Sequence, residues 1–250
     1  MMMKKYKWQA VFICLALGMV SFIPASKKLT IYLIGDSTLA VKSASAFPET
    51  GWGMPFANFF SKEVLVDNRA KNGRSTKTFI SENLWAPVVS ELQKGDYVLI
   101  QFGHNDEVKT KASYTSEIDF VKNLSKFVQE SRAKGAMPVL ITPVARRSFD
   151  TDGKVKETHQ VYADLVRELA KSAAVPLIDL DLKSQALLQQ YGADQSKLLF
   201  NHLEPGEHPN YPDGKKDDTH FNELGAREMA QLVLKEMRAL NLPVLSYLVK

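Results

Sequence analysis

The sequence predicts an α/β fold, a doubly wound, flavodoxin-like sheet of five parallel strands with helices on both faces. Two observations carry that reading. From Leu29 onward, short apolar runs rich in β-branched residues alternate with longer amphipathic stretches, and the apolar runs are continuous rather than alternating, as strands buried on both faces are. The expected strands are 29–34, 64–67, 97–102, 138–142 and 176–179, each short enough to be buried.

Helices are expected between them. Ser116 to Lys134 places Ile118, Val121, Leu124, Phe127 and Val128 on one face and ends at Gly135, a residue suited to the left-handed position after a helix. Residues 158–174 and 222–240 show the same periodicity. Phe200 to Asp218 shows little apolar pattern and is rich in Pro, Gly, His and Asp; it is expected to be a long loop, with Pro205, Pro209 and Pro212 stiffening it. In folds of this kind ligands bind beyond the carboxyl ends of the strands.

The 250 residues, 45% hydrophobic and 24% charged, suffice for a sizeable core. Residues 1–26 are set aside as a signal peptide. Lys4, Lys5 and Lys7 precede an apolar run, which ends at the small residues Ala25 and Ser26 before Lys27 and Lys28. That run is shorter than the roughly 20 residues a membrane span needs, so an exported protein, periplasmic or secreted, without stable membrane association is expected. Residues 27–250 are expected to form one domain. The single cysteine, Cys14, leaves with the leader, so no disulfide, thiolate nucleophile or zinc–cysteine site is expected in the mature chain. Without the leader lysines, 29 basic residues face 28 acidic ones, which gives no indication of a nucleic-acid partner.

Four short blocks carry the chemistry. Gly35-Asp36-Ser37-Thr38 follows the first strand, and a serine at a strand-to-helix turn can present its hydroxyl at the sheet edge beside helix N–H groups; read alone, Ser37 is equally a helix cap. Asn72-Gly73-Arg74-Ser75-Thr76 follows the second strand, where Gly73 lets backbone approach a ligand or simply makes a turn. Gly103-His104-Asn105-Asp106 follows the third; Asn105 offers an amide donor for an oxyanion or a local turn bond. Asp217-Asp218-Thr219-His220 precedes the last helix, and the three-residue spacing lets Asp217 orient His220. Three blocks follow strands and the fourth opens a helix, so all four are expected to converge on one rim.

This ordered set resembles the SGNH (GDSL-like) hydrolase superfamily, whose Ser, Gly, Asn and His map to Ser37, Gly73, Asn105 and His220. Phe102 to Asp106, Thr142 to Arg147 and His202 to His220 resemble, more narrowly, the rhamnogalacturonan acetylesterases, over nearly the whole mature chain. The resemblance implies an acetylesterase with Ser37 as nucleophile, His220 as base and Asp217 as its orienting carboxylate. It also implies an oxyanion hole from Ser37, Gly73 and Asn105, no cofactor, and an acetylated polysaccharide or oligosaccharide as substrate. Arg146 and Arg147, after the fourth strand, could grip a uronate carboxylate or form a solvated surface turn. His202, Glu204 and His208 match no usual zinc spacing, so no metal is expected. Deacetylation of another polysaccharide such as xylan, lipid ester hydrolysis and an inert carbohydrate-binding module are the competing functions. A flavodoxin-like nucleotide site lacks its phosphate-cradling glycine loop.

Overall fold

The computed structural model describes residues 28–249; the leader expected over residues 1–26 lies outside them. Five parallel strands form one sheet: β1 (Leu29–Gly35), β2 (Val64–Asn68), β3 (Tyr97–Gln101), β4 (Met137–Ile141) and β5 (Leu177–Ile178), in the order β2-β1-β3-β4-β5. Every strand was expected within a residue or two of its position, and the order is the doubly wound, flavodoxin-like one, with its reversal between β1 and β3.

The strands are apolar on both sides because both sides are covered. Ile31 and Leu33 of β1, Leu99 of β3 and Val139 and Ile141 of β4 face one layer. It holds α1 (Gly53–Phe56), α6 (Leu180–Gln195) and α7 (Glu223–Ala239), with Phe56, Leu188, Met229, Val233 and Met237 among the side chains that fill it. The alternate residues Tyr32, Ile34, Val98, Ile100 and Leu140 face the other layer. There α2 (Thr76–Ser81), α3 (Trp85–Glu91), α4 (Glu117–Ala133) and α5 (Gln160–Ser172) supply Phe79, Trp85, Phe120, Phe127 and Tyr162. Each such fully buried side chain contributes roughly 1.5–3 kcal/mol by leaving water.

Local chemistry sets the helix ends. Ser116 caps α4 by accepting the Asp119 N–H at 3.2 Å, and Gly135 just beyond the helix takes a φ of +74°. Asn222 caps α7 by accepting the Gly225 N–H at 3.0 Å.

Three expectations are corrected. Ile118 does not belong to the buried face of α4: it is 82% exposed, while Phe120 is fully buried. The buried stripe runs through Phe120, Leu124, Phe127, Val128 and Ser131, and a residue two positions before Phe120 is turned about 200° away from it. Second, α6 was not anticipated, because its buried face mixes Leu180 and Leu188 with Asp181 and Ser184, and its course breaks at Gly192. Third, no helix follows Ser37. The Asp36 carboxylate takes both the Thr38 N–H (2.9 Å) and the Thr38 hydroxyl (2.8 Å), which holds residues 36–40 in a turn closed by the Ala40 N–H on the Asp36 carbonyl.

Candidate functional site

β1 ends at Gly35, and the turn after it places Ser37 at the carboxyl edge of the sheet beside the crossover between β1 and β3. The segment that carries His220 is brought there by backbone contacts from three directions. The Thr50 N–H binds the Phe221 carbonyl (2.8 Å), the Asn201 N–H the His220 carbonyl (2.9 Å) and the Arg147 N–H the Asp218 carbonyl (2.9 Å). The expected loop 200–218 is a loop; it doubles back on itself, with Leu203 paired to Lys215 and His208 to Tyr211, and so returns the chain to the site.

The result is a linear hydrogen-bonded series. Ser37 Oγ lies 3.0 Å from His220 Nε2, and His220 Nδ1 lies 2.9 Å from Asp217 Oδ2. The other Asp217 oxygen accepts the backbone N–H groups of Thr219 and His220, each at 2.9 Å. Burial alone would raise the Asp217 carboxyl. The His220 side chain and the two backbone donors outweigh it and hold the group well below the usual carboxylate range. An ionised Asp217 can only accept, so Nδ1 of His220 carries the proton and Nε2 is left to accept from the serine hydroxyl. Lys215 Nζ stands 3.9 Å from Asp217.

The Gly73 block is tied to the end of β1 by the Lys71 N–H on the Gly35 carbonyl at 3.1 Å. Gly73 has a φ of +75°, which a residue with a side chain adopts at a cost, and a Cβ there would meet no atom within 4 Å, so its outer side is open. Among the described residues, neither the Ser37 nor the Gly73 backbone N–H is taken by an acceptor in the chain. Asn105 is buried, and one of its two amide hydrogens is held by the Arg74 carbonyl at 3.1 Å, which fixes the amide plane and leaves the second hydrogen to a ligand. The structure thus brings Ser37, His220 and Asp217 together, and separately holds Asn105 against the carbonyl of Arg74, the residue after Gly73.

The contacts that hold these blocks carried no signal in the sequence. Lys42, with only 2% of its side chain exposed, is paired to Glu49 (2.7 Å) and bound to Asn72 Oδ1 (2.9 Å), so it anchors the turn that presents Gly73. Asp106 accepts the Thr76 N–H (2.9 Å) and hydroxyl (2.6 Å), tying the Asn105 block to the start of α2. Beneath Ser37, Trp52 Nε1 donates to Gln101 Oε1 (2.9 Å), Gln101 Nε2 to Thr38 Oγ1 (2.5 Å), and Thr38 Oγ1 to Asp36. His104 donates through Nε2 to the Val144 carbonyl (2.8 Å); burial, then the neighbouring His159, pushes it well below the usual imidazole range and keeps it neutral.

The two arginines are held from within the chain. Arg147 reaches Ser196 Oγ (3.0 Å), Asp218 (2.6 Å) and the Ala193 carbonyl, and ties the Asp217–His220 segment to the end of α6. Arg146 reaches Thr219 Oγ1 (2.8 Å), the His104 carbonyl (3.3 Å) and Glu107 (3.3 Å). Both guanidinium groups are thus engaged by partners within the rim. His202 is turned to Asp218 (2.8 Å) and His208 accepts the Asn210 N–H (3.1 Å), so the two imidazoles do not converge with Glu204 on a common point. Among the described residues no three His, Cys, Asp or Glu side chains are grouped to hold a metal ion.

A family model of GDSL-like lipases and acylhydrolases matches residues 33–228, from β1 to α7 and across all four blocks. The chain belongs to the GDSL-like lipase/acylhydrolase family. Within this family it is 43% identical to the rhamnogalacturonan acetylesterase RhgT of Bacillus subtilis, over 89% of this chain and 95% of that one. It is 35% identical to the probable rhamnogalacturonan acetylesterase YesY of the same organism, over 88% and 97% of the two chains. Among solved structures, that of YxiM from B. subtilis superposes with a TM-score of 0.75 at 25% identity, covering 87% of this chain and 58% of that longer one.

Proposed function

We propose that this family member is a serine acetylesterase that removes O-acetyl groups from pectic rhamnogalacturonan. The observation that carries the reading is the Ser37–His220–Asp217 series, with its 3.0 and 2.9 Å links. The serine hydroxyl attacks the acetyl carbonyl carbon as His220 Nε2 takes its proton, and the C=O electron pair moves to the oxygen. That oxyanion sits against the N–H groups of Ser37 and Gly73 and the Asn105 amide. Collapse breaks the ester C–O bond, and the imidazolium returns its proton to the departing sugar hydroxyl. Water then attacks the acetyl-serine with His220 again as base, releasing acetate. Asp217, kept ionised by its donors, holds the imidazole tautomer and stabilises the imidazolium. Each step is completed by these side chains, and none of them routes through a cofactor.

The substrate assignment rests on the two relatives matched over nearly their full lengths, both named for rhamnogalacturonan. The lysine-then-apolar leader joins this reading as an export signal, which would bring the enzyme to an extracellular polymer.

The test is acetate release from acetylated rhamnogalacturonan, acetylated xylan and a short-chain synthetic ester, with wild type beside Ser37→Ala and Asn105→Ala. Preference for the pectic polymer is expected, with turnover reduced at least about 10⁴-fold in Ser37→Ala and about 10²- to 10³-fold in Asn105→Ala. Serine-dependent release from xylan or the synthetic ester alone would keep the chemistry and replace the substrate. Absence of serine-dependent release from all three would leave a binding module.

A further inference from the structure

Arg146, in the segment after β4, is engaged beside the triad without belonging to it. Its guanidinium lies between the two halves of the site. One nitrogen donates to Thr219 Oγ1 at 2.8 Å, and Thr219 sits between Asp218 and His220 with its own N–H on the Asp217 carboxylate. The other terminal nitrogen donates to the carbonyl of His104, the residue before Asn105, and to Glu107 Oε1, both at 3.3 Å. Glu107 is itself fixed from behind: its second oxygen meets Nδ1 of the buried His159 at 2.8 Å. The His159 ring packs against His104 with centroids 4.2 Å apart. The Arg146 backbone N–H completes the closure on Thr158 Oγ1 at 3.0 Å, beside His159.

We infer that Arg146 is a positioning residue that fixes the spacing between the His220 segment and the Asn105 segment, the base and the oxyanion donor of one reaction. The inference rests on the catalytic reading given above. Its physical basis is the planar fork of the guanidinium, which satisfies acceptors on two separate chain segments in one rigid geometry. The two segments are more than 100 residues apart in the sequence and are joined through this one guanidinium. Glu107 and His159 supply the counter-charge and the rear support, so the guanidinium is held in place when substrate is absent.

Positioning and the grip on a uronate carboxylate separate in kinetics. Arg146→Met, Arg146→Lys and Thr219→Val are compared with wild type on acetylated rhamnogalacturonan fragments, which are acidic, and on a neutral short-chain ester. A positioning role predicts that Arg146→Met lowers kcat roughly 10- to 10²-fold on both substrates, the scale of a displacement of about 1 Å. KM on each should stay within about twofold. Arg146→Lys restores part of kcat by reaching one of the two segments. Thr219→Val, which keeps the β-branched shape and deletes one acceptor, shows a smaller kcat loss, and the double variant is no worse than Arg146→Met alone. Thr219→Val also carries the test if Arg146→Met does not fold. A rise in KM for the acidic fragments with kcat intact would overturn the inference in favour of substrate binding, and unchanged kcat in both single variants would overturn it outright. Turnover retained in Ser37→Ala would remove the catalytic reading itself, a result distinct from either.

Discussion

Asp106 shows how a single side chain can serve the site without touching the reacting atoms. It is fully buried and spends one oxygen on the N–H and hydroxyl of Thr76, so its neighbour Asn105 and the chain that follows Gly73 are locked to each other. Burial, opposed by the threonine hydrogen bonds and reinforced by the charge of Asp36, pushes its carboxyl up to about 6. The sign of the consequence follows from linkage. Below about pH 4 the group is protonated both folded and unfolded; between about 4 and 6 the unfolded chain ionises first while the fold retains the proton. This group's contribution to stability is therefore full below about pH 4 and is lost as the pH rises to about 6, at up to roughly 1.4 kcal/mol per pH unit. Asp106→Asn keeps the acceptor and removes the titration. Denaturant midpoints measured from pH 4 to 7 should show the variant gaining on wild type across that window and holding the gain above it. Parallel curves would mean that Asp106 does not titrate there. The aspartate and Thr76 were each visible in the sequence as members of separate blocks; their pairing across 30 positions was not.

At the scale of elements, α4 separates what periodicity can and cannot deliver. Its existence, its Ser116 cap and its Gly135 exit follow from local chemistry, and local chemistry is what a linear sequence records. The phase of its buried face depends on which side meets β3, β4 and α5; Leu124, Phe127 and Val128 lie on it as expected, while its first turn is buried through Phe120 and not Ile118. The two positions give a direct check. Phe120→Ala should cost about 3–5 kcal/mol, as emptying a full aromatic site does, while Ile118→Ala should stay within about 0.5 kcal/mol. Urea unfolding of the two variants measures both, and equal costs would contradict the packing described. α6 escaped notice for a related reason: a helix that buries Asp181 and Ser184 beside its leucines has no clean apolar period. Both polar groups have partners that only the fold supplies, Arg167 for Asp181 and the Ala145 N–H for Ser184.

Across the whole molecule the two ends of the sheet are built differently. At the amino ends of the strands, buried polar side chains among the described residues are fewer: Thr30 and Asp96, with the Thr30 N–H on the Asp96 carboxylate, and Ser131 at the end of α4. At the carboxyl ends lie Asp36, Thr38, Gln101, His104, Asn105, Asp106, Thr142 and His159, all buried. Such groups stabilise a fold only when each finds a partner, so the functional end depends on networks that cross from strand to strand. The four blocks and their convergence could be read from sequence because each is local to a strand end. The networks beneath them, Lys42 with Glu49 and Asn72, or Trp52 through Gln101 to Thr38, join residues too far apart to leave a pattern. The second of these bridges β1 and β3 at the reversal of strand order, under Ser37. Gln101→Met tests its weight, because methionine fills the volume but accepts nothing useful from the Trp52 N–H and donates nothing to the Thr38 hydroxyl. Two buried groups losing partners should cost roughly 2–4 kcal/mol. Since Thr38 and Asp36 shape the turn that presents Ser37, kcat should fall with stability. Trp52→Phe removes the N–H that Gln101→Met leaves without its partner, while the Thr38 hydroxyl keeps its bond to Asp36. Added to Gln101→Met, it should therefore restore part of the lost stability while leaving the loss of turnover in place. If kcat were to recover along with stability, Ser37 would be positioned by packing alone, and the polar bridge would be a feature of the core rather than of the site.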